Sequence, residues 1–271
     1  LPRRADSGKT VDGRGAGGGK VGVEMRVVGI IQARMASSRL PNKTLLPIHG
    51  RPMLMRVWDR LRLCRRLNDI VVATSNAPAN DILAKVCERE IGMSYERAGA
   101  SDEDVTTRLC MVADRLKADA IVRITPDCPL VSPDLVDEIV AEGTRQRDHG
   151  MAGRNRLPMD YCSNVFPRTY PDGLDCEFIT RECLEKLPEA EDLTRYIWEH
   201  PEQFRIASVT HSEDLSWMNW TVNYQLDLDF VRWVYARLPE GFSWRDVLAL
   251  KDEGPWGERF WKALSESAWH R

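Results

Sequence analysis

Short apolar runs alternate with segments of helical periodicity through the first half of this chain. Residues 27–31, 70–73 and 120–124 form such runs, and after each of them apolar residues recur at spacings of three and four. A short apolar run bounded by polar residues indicates a buried strand, whereas the longer spacing indicates one buried face of a helix. The alternation predicts an α/β fold with a mainly parallel, Rossmann-like sheet.

The second half has a different pattern. Residues 160–164 and 176–179 have the composition of strands, and the loop between them contains the turn sequence Pro171-Asp172-Gly173. A further strand is predicted near 217–222, followed by a helix over 227–238. We therefore expect this half to be small and antiparallel or irregular.

Both ends of the chain are predicted to lie outside the main folded unit. Residues 1–24 contain seven glycines and few large aliphatic side chains, and such a composition predicts a disordered tail because it buries too little apolar surface. The folded unit is expected to cover 25–240. Residues 241–271 are expected to form a helical extension packed on it, in which Ser243 and Asp246 have the spacing of a capping box.

The overall composition argues against several classes of protein. With a net charge of −3 over 271 residues, the chain gives no reason to expect a nucleic acid or an anionic membrane as partner. No apolar run reaches the roughly 18 residues that a membrane-spanning helix needs. The seven cysteines include no Cys-x-x-Cys pair, which favours reduced thiols in a cytoplasmic protein over disulfides or a zinc site.

Three cations follow the first predicted strand within a few residues of each other. They are Arg34, Arg39 and Lys43, and the small side chains Ala36, Ser37 and Ser38 lie among them, between the two arginines. Backbone N–H groups can close on phosphate oxygens where side chains are small, and Arg or Lys then neutralises the charge. We call residues 32–43 the cationic segment and predict that it binds a triphosphate; the alternative is a solvated basic surface loop.

Parallel strands would bring three polar segments to one pocket, because ligands bind at the carboxyl ends of the strands in such sheets. These segments are 32–43, 74–76 and 125–130. In the last of them, Asp127 is a candidate ligand for Mg²⁺, which prefers hard oxygen atoms shared with substrate phosphates; the alternative is an aspartate that caps a turn. Arg123 lies inside a predicted strand, where an unpaired charge is costly, so Asp127 or a substrate is expected to be its partner.

The cationic segment carries a resemblance to a known family. Ile-Ile-Gln-Ala-Arg-Met-Ala-Ser-Ser-Arg-Leu-Pro-Asn-Lys at 30–43 is similar to the signature of cytidylyltransferases of the spore coat polysaccharide biosynthesis protein F type, which are relatives of the CMP-Kdo and CMP-sialic acid synthetases. It departs from the usual signature at Ala36 and Asn42, where glycines are common. Further resemblances are Asp-Cys-Pro-Leu at 127–130, Tyr-Pro-Asp-Gly-Leu-Asp-Cys-Glu at 170–177 and Trp-Thr-Val-Asn at 220–223.

The resemblance implies a glycosyltransferase-A-like nucleotidyltransferase fold that transfers CMP from CTP to an anionic sugar, releases pyrophosphate and uses Mg²⁺. It implies Arg34, Lys43 and Asp127 as catalytic residues, and Asp127 and Asn223 as metal ligands, although relatives usually carry Asp where this chain has Asn223. A homodimer is also expected from the relatives. The nucleotide site would include Gln32, Ala33, Arg34, Ser37, Ser38, Arg39, Lys43, Thr74, Ser75 and Asp104. The sugar site would include Arg123, Asn164, Asp172 and Asp175.

Two other functions remain open at this stage. A glycosyltransferase of the same fold would use a preformed nucleotide sugar and bind its metal through an Asp-x-Asp motif. Asp227-Leu228-Asp229 matches this pattern, although it falls in a predicted helix. A nucleotide-binding relative with a degraded metal site would explain Asn223, Ala36 and Pro126, which all depart from the family pattern.

Overall fold

The computed structural model describes residues 25–90, 92–99, 101–148, 156–187 and 193–256. The predicted tail and the last part of the predicted extension, 257–271, lie outside the described residues. The strands are β1 Val27–Gln32, β2 Pro47–Ile48, β3 Arg51–Pro52, β4 Asp69–Thr74, β5 Ser94–Arg97, β6 Ala120–Ile124, β7 Arg147–Asp148, β8 Arg156–Leu157, β9 Tyr161–Ser163, β10 Glu177–Thr180 and β11 Ile206–Ser208. The α-helices are α1 Met53–Leu61, α2 Asp81–Arg89, α3 Val105–Leu116, α4 Pro133–Gly143, α5 Arg181–Lys186, α6 Leu193–Glu199, α7 Gln225–Tyr235 and α8 Trp244–Ala249.

A sheet of seven strands in the order β11-β9-β10-β6-β1-β4-β5 forms the centre of the molecule. The strands β6, β1, β4 and β5 are mutually parallel. The strand β10 is antiparallel to both of its neighbours, β6 and β9, so that β9 and its parallel partner β11 again run in the direction of β1. The predicted α/β class with a mainly parallel sheet is confirmed, and β10 is the antiparallel strand of this sheet.

Both faces of the sheet are buried, which explains why the central strands are apolar at consecutive positions. Ile31 and Val72 lie in a core that includes side chains of α1, α4 and α7. Ile30 and Val71, one position earlier on the same strands, lie in a second core with side chains of α3, α5 and α6. Because successive side chains of a strand point to opposite faces, each strand supplies both cores.

Two local predictions need correction. No strand forms at 217–222, where the backbone makes a single bridge, from Asn219 to Asp172. The alternating burial of Met218, Trp220 and Val222 imitates a strand, but the segment pairs with no neighbouring strand in the part of the chain that the structure describes. Ser132 precedes α4 as predicted, but its hydroxyl makes no cap bond and instead accepts a hydrogen bond from the backbone N–H of Trp244 at 3.0 Å.

The other helix ends follow the sequence more closely. Ser243 and Asp246 form the predicted capping box of α8, and Asp227 lies in the first turn of α7. The seven cysteines are all free thiols. Within the described residues, no helix has both the length and the apolar character that crossing a bilayer requires.

Candidate active site

The carboxyl ends of β1 and β6 open into a cavity of about 400 Å³. The cationic segment forms one wall through Gln32, Arg34, Ser37, Ser38, Arg39 and Lys43, and the segment after β6 forms the other through Thr125, Pro126 and Asp127. The parallel sheet therefore brings two of the three predicted segments together in one cavity.

Lys43 lies at the centre of this cavity wall. Its ammonium group donates hydrogen bonds to Asp127 Oδ2 at 2.7 Å, to the carbonyl oxygen of Val222 at 3.0 Å and to Asn223 Oδ1 at 3.1 Å. The side chains of Lys43 and Asp127 retain only 13% and 21% exposure, so their attraction is screened less than that of a surface pair. The remaining carboxylate oxygen, Asp127 Oδ1, accepts a hydrogen bond from Thr125 Oγ1 at 2.5 Å.

Hydrogen bonds to its backbone hold the cationic segment in place. The N–H of Ala33 donates to the carbonyl of Ala73 at 2.9 Å, and Thr44 Oγ1 donates to the carbonyl of Arg34 at 2.9 Å. Asn42 has φ 57°, in the left-handed region, directly before the 3₁₀ turn Lys43–Leu45. Asparagine is among the non-glycine residues that adopt this conformation most readily, so the departure from glycine at this position preserves the path of the loop that presents Lys43.

The two arginines of the segment are less constrained than Lys43. Arg34 donates to Glu103 Oε1 at 2.9 Å, with side chains that are 47% and 72% exposed. The guanidinium of Arg39 lies 5.7 Å from the ring centre of Tyr224, and it forms no ion pair with any carboxylate among the described residues. Both cations are therefore available to an anion in the cavity.

The predicted nucleotide residues Thr74, Ser75 and Asp104 do not line the cavity. Thr74 and Ser75 are buried, and Ser75 Oγ donates to Asp102 Oδ1 at 2.6 Å. Asp104 directly precedes α3, and its neighbour Glu103, rather than Asp104 itself, lines the cavity. A nucleotide role for Thr74, Ser75 and Asp104 remains a prediction.

Sequence reasoning missed Asn80, a fully buried residue at the start of α2. Its Nδ2 donates to Ser75 Oγ at 2.9 Å and to Asp102 Oδ1 at 2.7 Å, while its Oδ1 accepts from the backbone N–H of Met35 at 2.9 Å. Asn80 thus ties the cationic segment to the end of β4. The only sequence signal was its place before a predicted helix, which indicates nothing about this contact.

Arg123 has a different partner from the one predicted. Its guanidinium forms an ion pair with Glu177 and donates to Gln32 Oε1 at 2.9 Å. Glu177 also accepts a hydrogen bond from Tyr161 Oη at 2.8 Å. The reason is strand pairing, because β10 places Glu177 directly opposite Arg123, whereas Asp127 lies beyond the end of β6 and pairs with Lys43.

The acids of the second half are also engaged with protein groups. Arg168, which sequence reasoning missed, donates to both oxygens of Asp175 at 2.6 and 2.7 Å. Asp172 Oδ1 accepts from Thr221 Oγ1 at 2.8 Å, and burial, followed by the nearby charges of Asp175 and then Asp127, raises the pKa of Asp172. Asn164 is buried and bonds the backbone of Leu174 and Cys176. Asn164, Asp172 and Asp175 do not line the cavity. A sugar-binding role for these three residues remains a prediction.

The oxygen atoms around Lys43 suit a hard cation. Asp127 Oδ2, Asn223 Oδ1 and the carbonyl of Val222 already converge on one positive group. Carboxylate, amide and backbone oxygens are ligands that Mg²⁺ accepts when phosphates and water complete its shell. Among the described residues, no group of three or more His, Cys, Asp or Glu side chains could hold a metal ion.

Known proteins resemble this chain in sequence and in structure. The cytidylyltransferase family model matches residues 28–164. A Methanocaldococcus jannaschii protein of unassigned function is 32% identical over 189 residues, which are 67% of this chain and 71% of that protein. The 3-deoxy-manno-octulosonate cytidylyltransferase of Geobacter sulfurreducens is 38% identical over 117 residues, which are 43% of this chain but only 45% of that enzyme.

Two solved structures share the fold. A cytidylyltransferase from Leptospira borgpetersenii superposes with a TM-score of 0.74 at 29% identity, covering 85% of this chain and 95% of that one. A CMP:2-keto-3-deoxy-manno-octonic acid synthetase in complex with CTP superposes with a TM-score of 0.55 at 21% identity, covering 78% and 99%. The second similarity concerns the fold alone.

Proposed function

This chain belongs to the cytidylyltransferase family, and from that membership we propose that it transfers CMP from CTP to an anionic sugar and releases pyrophosphate. The observation that carries the proposal is the contact between Lys43 and Asp127 in the wall of a cavity that the cationic segment lines. The relatives named for octulosonate acceptors, with either a hydroxyl or an amino group at carbon 8, indicate the class of acceptor.

The residues of the cavity fit the charge changes of such a reaction. A sugar hydroxyl oxygen attacks the α-phosphorus of CTP in line and loses its proton to solvent, while the bond from the α-phosphorus to the oxygen bridging to the β-phosphorus breaks and pyrophosphate departs with the negative charge. Arg34, Arg39 and Lys43 would neutralise the triphosphate and stabilise the leaving group, because preorganised cations act strongly where charge develops. No covalent intermediate with the protein is needed.

Asp127 and Asn223 would hold Mg²⁺ together with phosphate oxygens. When bound, this ion would supply further neutralisation of phosphate charge. Asn223 contributes a neutral oxygen where relatives usually have a carboxylate, so the protein offers one negative charge, that of Asp127. With Mg²⁺ bound, Lys43 would lose at least part of its contact with Asp127 Oδ2 and Asn223 Oδ1. Its ammonium group would then be available to a phosphate.

The glycosyltransferase alternative is not favoured by the structure of its supposed metal motif. Asp227 is buried in the first turn of α7, where its Oδ2 accepts from the backbone N–H groups of Asn223 and Tyr224 at 2.8 Å each. Asp229 lies further along the same helix and accepts from Gln225. The Asp-Leu-Asp sequence therefore belongs to a helix start.

The test is pyrophosphate release from each of the four nucleoside triphosphates with Mg²⁺ and an octulosonate acceptor. We expect release with CTP that depends on the acceptor, and none with glucose, a neutral sugar that serves as the control. A glycosyltransferase would instead release nucleotide from a nucleotide sugar. Binding of CTP without release of its pyrophosphate in the presence of any acidic sugar would overturn the proposal in favour of a nucleotide-binding relative.

A further inference from the structure

A second cavity, of about 520 Å³, lies between α1 and the loop that follows α7. Its lining includes four arginines, three acids and two aromatic rings: Arg51, Arg56, Arg60, Arg62, Asp59, Glu90, Glu240, Tyr235 and Phe242. No residue of this arginine cavity lines the cavity at the cationic segment, so the two are separate sites.

Arg60 is buried without a neutralising carboxylate. Its side chain donates to the backbone carbonyls of Val131 and Phe242, its guanidinium lies 4.0 Å from the ring centre of Phe242, and the residue is only 4% exposed. No carboxylate among the described residues comes within ion-pair distance of it. Burial of an uncompensated charge is costly, and this cost lowers the pKa of Arg60.

Arg56 and Arg62 add positive charge to the same wall. Arg56 is 8% exposed and bonds the carbonyls of Ile48 and His49 at 3.0 and 2.8 Å. The nearest carboxylate oxygen, from the fully exposed Glu240, is 3.9 Å away. Arg62 is exposed, and its side chain contacts no acid in the described part of the chain.

The three acids of the lining are paired with two of its arginines. Arg51 binds Asp59 at 2.7 Å and Glu90 at 3.0 Å, and Glu240 lies 3.9 Å from Arg56. The lining therefore carries one more arginine than acids, and Arg60 and Arg62 have no ion pair in the described part of the chain; with Arg56 they form the positive wall of the cavity. Guanidinium groups match phosphate oxygens in geometry as well as in charge.

The positive wall is fixed before any ligand arrives. Arg60 is bonded to Val131, and Tyr235 Oη donates to the carbonyl of Pro129 at 2.8 Å. The ring of Tyr235 in turn lies 4.8 Å from the guanidinium of Arg56. These contacts immobilise the cationic groups, which lowers the entropic cost of binding.

We propose that the arginine cavity binds the phosphate group of a small molecule, at a site separate from the candidate active site. The ligand would place its phosphate against Arg56, Arg60 and Arg62. A volume of about 520 Å³ leaves room for a body of several heavy atoms attached to that phosphate.

The test is isothermal titration of inorganic phosphate into protein that carries Lys43→Ala, which weakens phosphate binding at the cationic segment. In this background we compare Arg62→Glu with the matched control Arg66→Glu, since both arginines are exposed and only Arg62 lines the cavity. Arg62→Glu should raise the Kd about tenfold because it replaces attraction by repulsion near the surface, and Arg66→Glu should leave it within about twofold.

A second variant, Leu63→Glu, introduces a carboxylate at another lining residue that is exposed and should weaken phosphate binding in the same direction. Thermal unfolding of all variants without phosphate checks that they are folded. The proposal is overturned if the parent protein binds no phosphate, or if Arg62→Glu and Arg66→Glu change the Kd equally.

Discussion

The cationic segment and the acidic loop 168–177 both carry clustered charges, but they use them in opposite ways. In the cationic segment, Arg39 forms no ion pair within the described residues, and Arg34 has one exposed partner. In the acidic loop, Asp175 is held by two bonds from Arg168, and Glu177 by Arg123 and Tyr161. Positive charge is thus left available at the first region, whereas negative charge at the second maintains the fold.

This difference separates residues that bind ligands from residues that stabilise the structure. An exposed pair such as Arg34–Glu103 is worth about 0–1 kcal/mol, so a phosphate can replace Glu103 at little cost. Removing one partner of a shielded pair costs more, because the other charge is left uncompensated. Substitution of an exposed cation in the first region, such as Arg34, should therefore change activity with little loss of stability, whereas substitutions in the second region should change stability.

Lys43→Ala should have the largest effect on activity, and it should also lower the free energy of unfolding, because it leaves the shielded carboxylate of Asp127 without its cation. It removes the cation that meets both Asp127 and Asn223, and loss of one preorganised group that stabilises developing charge typically lowers turnover about 10²–10³-fold. Pyrophosphate release with CTP measures the effect. Lys186→Ala, which removes a lysine on the surface of α5, is the control, and equal activity of the two variants would contradict the assignment.

Arg168→Met should affect stability most. It leaves Asp175 and Asp172 without their shared cation, and the Arg168 and Asp175 side chains are 27% and 29% exposed. We expect the free energy of unfolding to fall by about 2–3 kcal/mol, somewhat less than for a fully buried pair. Urea denaturation measures it, and a loss below about 0.5 kcal/mol would show that this loop does not depend on the pair.

Several features of both regions follow from the sequence, for physical reasons. Strands alternating with helices specify a parallel sheet, and a parallel sheet brings the segments after β1 and β6 to the same edge. The proximity of Lys43 and Asp127 therefore needs no knowledge of side-chain positions. The resemblance at 30–43 adds the nature of the ligand, which geometry alone does not specify.

Other contacts depend on pairings that a single sequence does not display. Glu177 meets Arg123 only because β10 runs antiparallel beside β6, and the sequence contains no signal for that neighbour. Asn80 reaches Met35 across 45 positions of the chain, and this contact requires the final path of two loops. The strand predicted at 217–222 was wrong because alternating burial arises wherever an extended segment lies on a core, with or without a partner strand.

Arg34→Met should change nucleotide affinity and leave the fold intact, which is the reverse of Arg168→Met. It removes one of three cations from the segment, and we expect the Kd for CTP to rise about tenfold, equivalent to about 1.4 kcal/mol. The free energy of unfolding should change by less than about 1 kcal/mol. Titration calorimetry and urea denaturation of both variants together test the contrast, which fails if Arg34→Met is the more destabilised protein.

Asp172→Asn should have the smallest effect on stability, and the size of this effect depends on pH. Burial and the neighbouring Asp175 raise the pKa of Asp172 in the folded state, so the native protein holds this proton to a higher pH than the unfolded chain does. Stability contributed by the protonated group is present below the unfolded pKa of about 3.9 and is lost as pH rises through the folded value. Asparagine, which stays neutral, should therefore stabilise the protein at pH 7 and give no gain near pH 4.

The gain in stability should be only a few tenths of a kcal/mol, because the Asp172 side chain is 47% exposed and solvent screens its charge.

Asp160→Asn should change the stability in the opposite direction. Burial alone would raise the pKa of Asp160, but hydrogen bonds and attraction from Arg205 outweigh burial and lower it, so this substitution should destabilise the protein at pH 7 and less so in acid. Thermal unfolding between pH 4 and 7 measures both slopes. If Asp172→Asn is less stable than the parent at pH 7, the loop stabilises the carboxylate of Asp172 as firmly as that of Asp175. Every carboxylate of the acidic loop would then have its negative charge compensated.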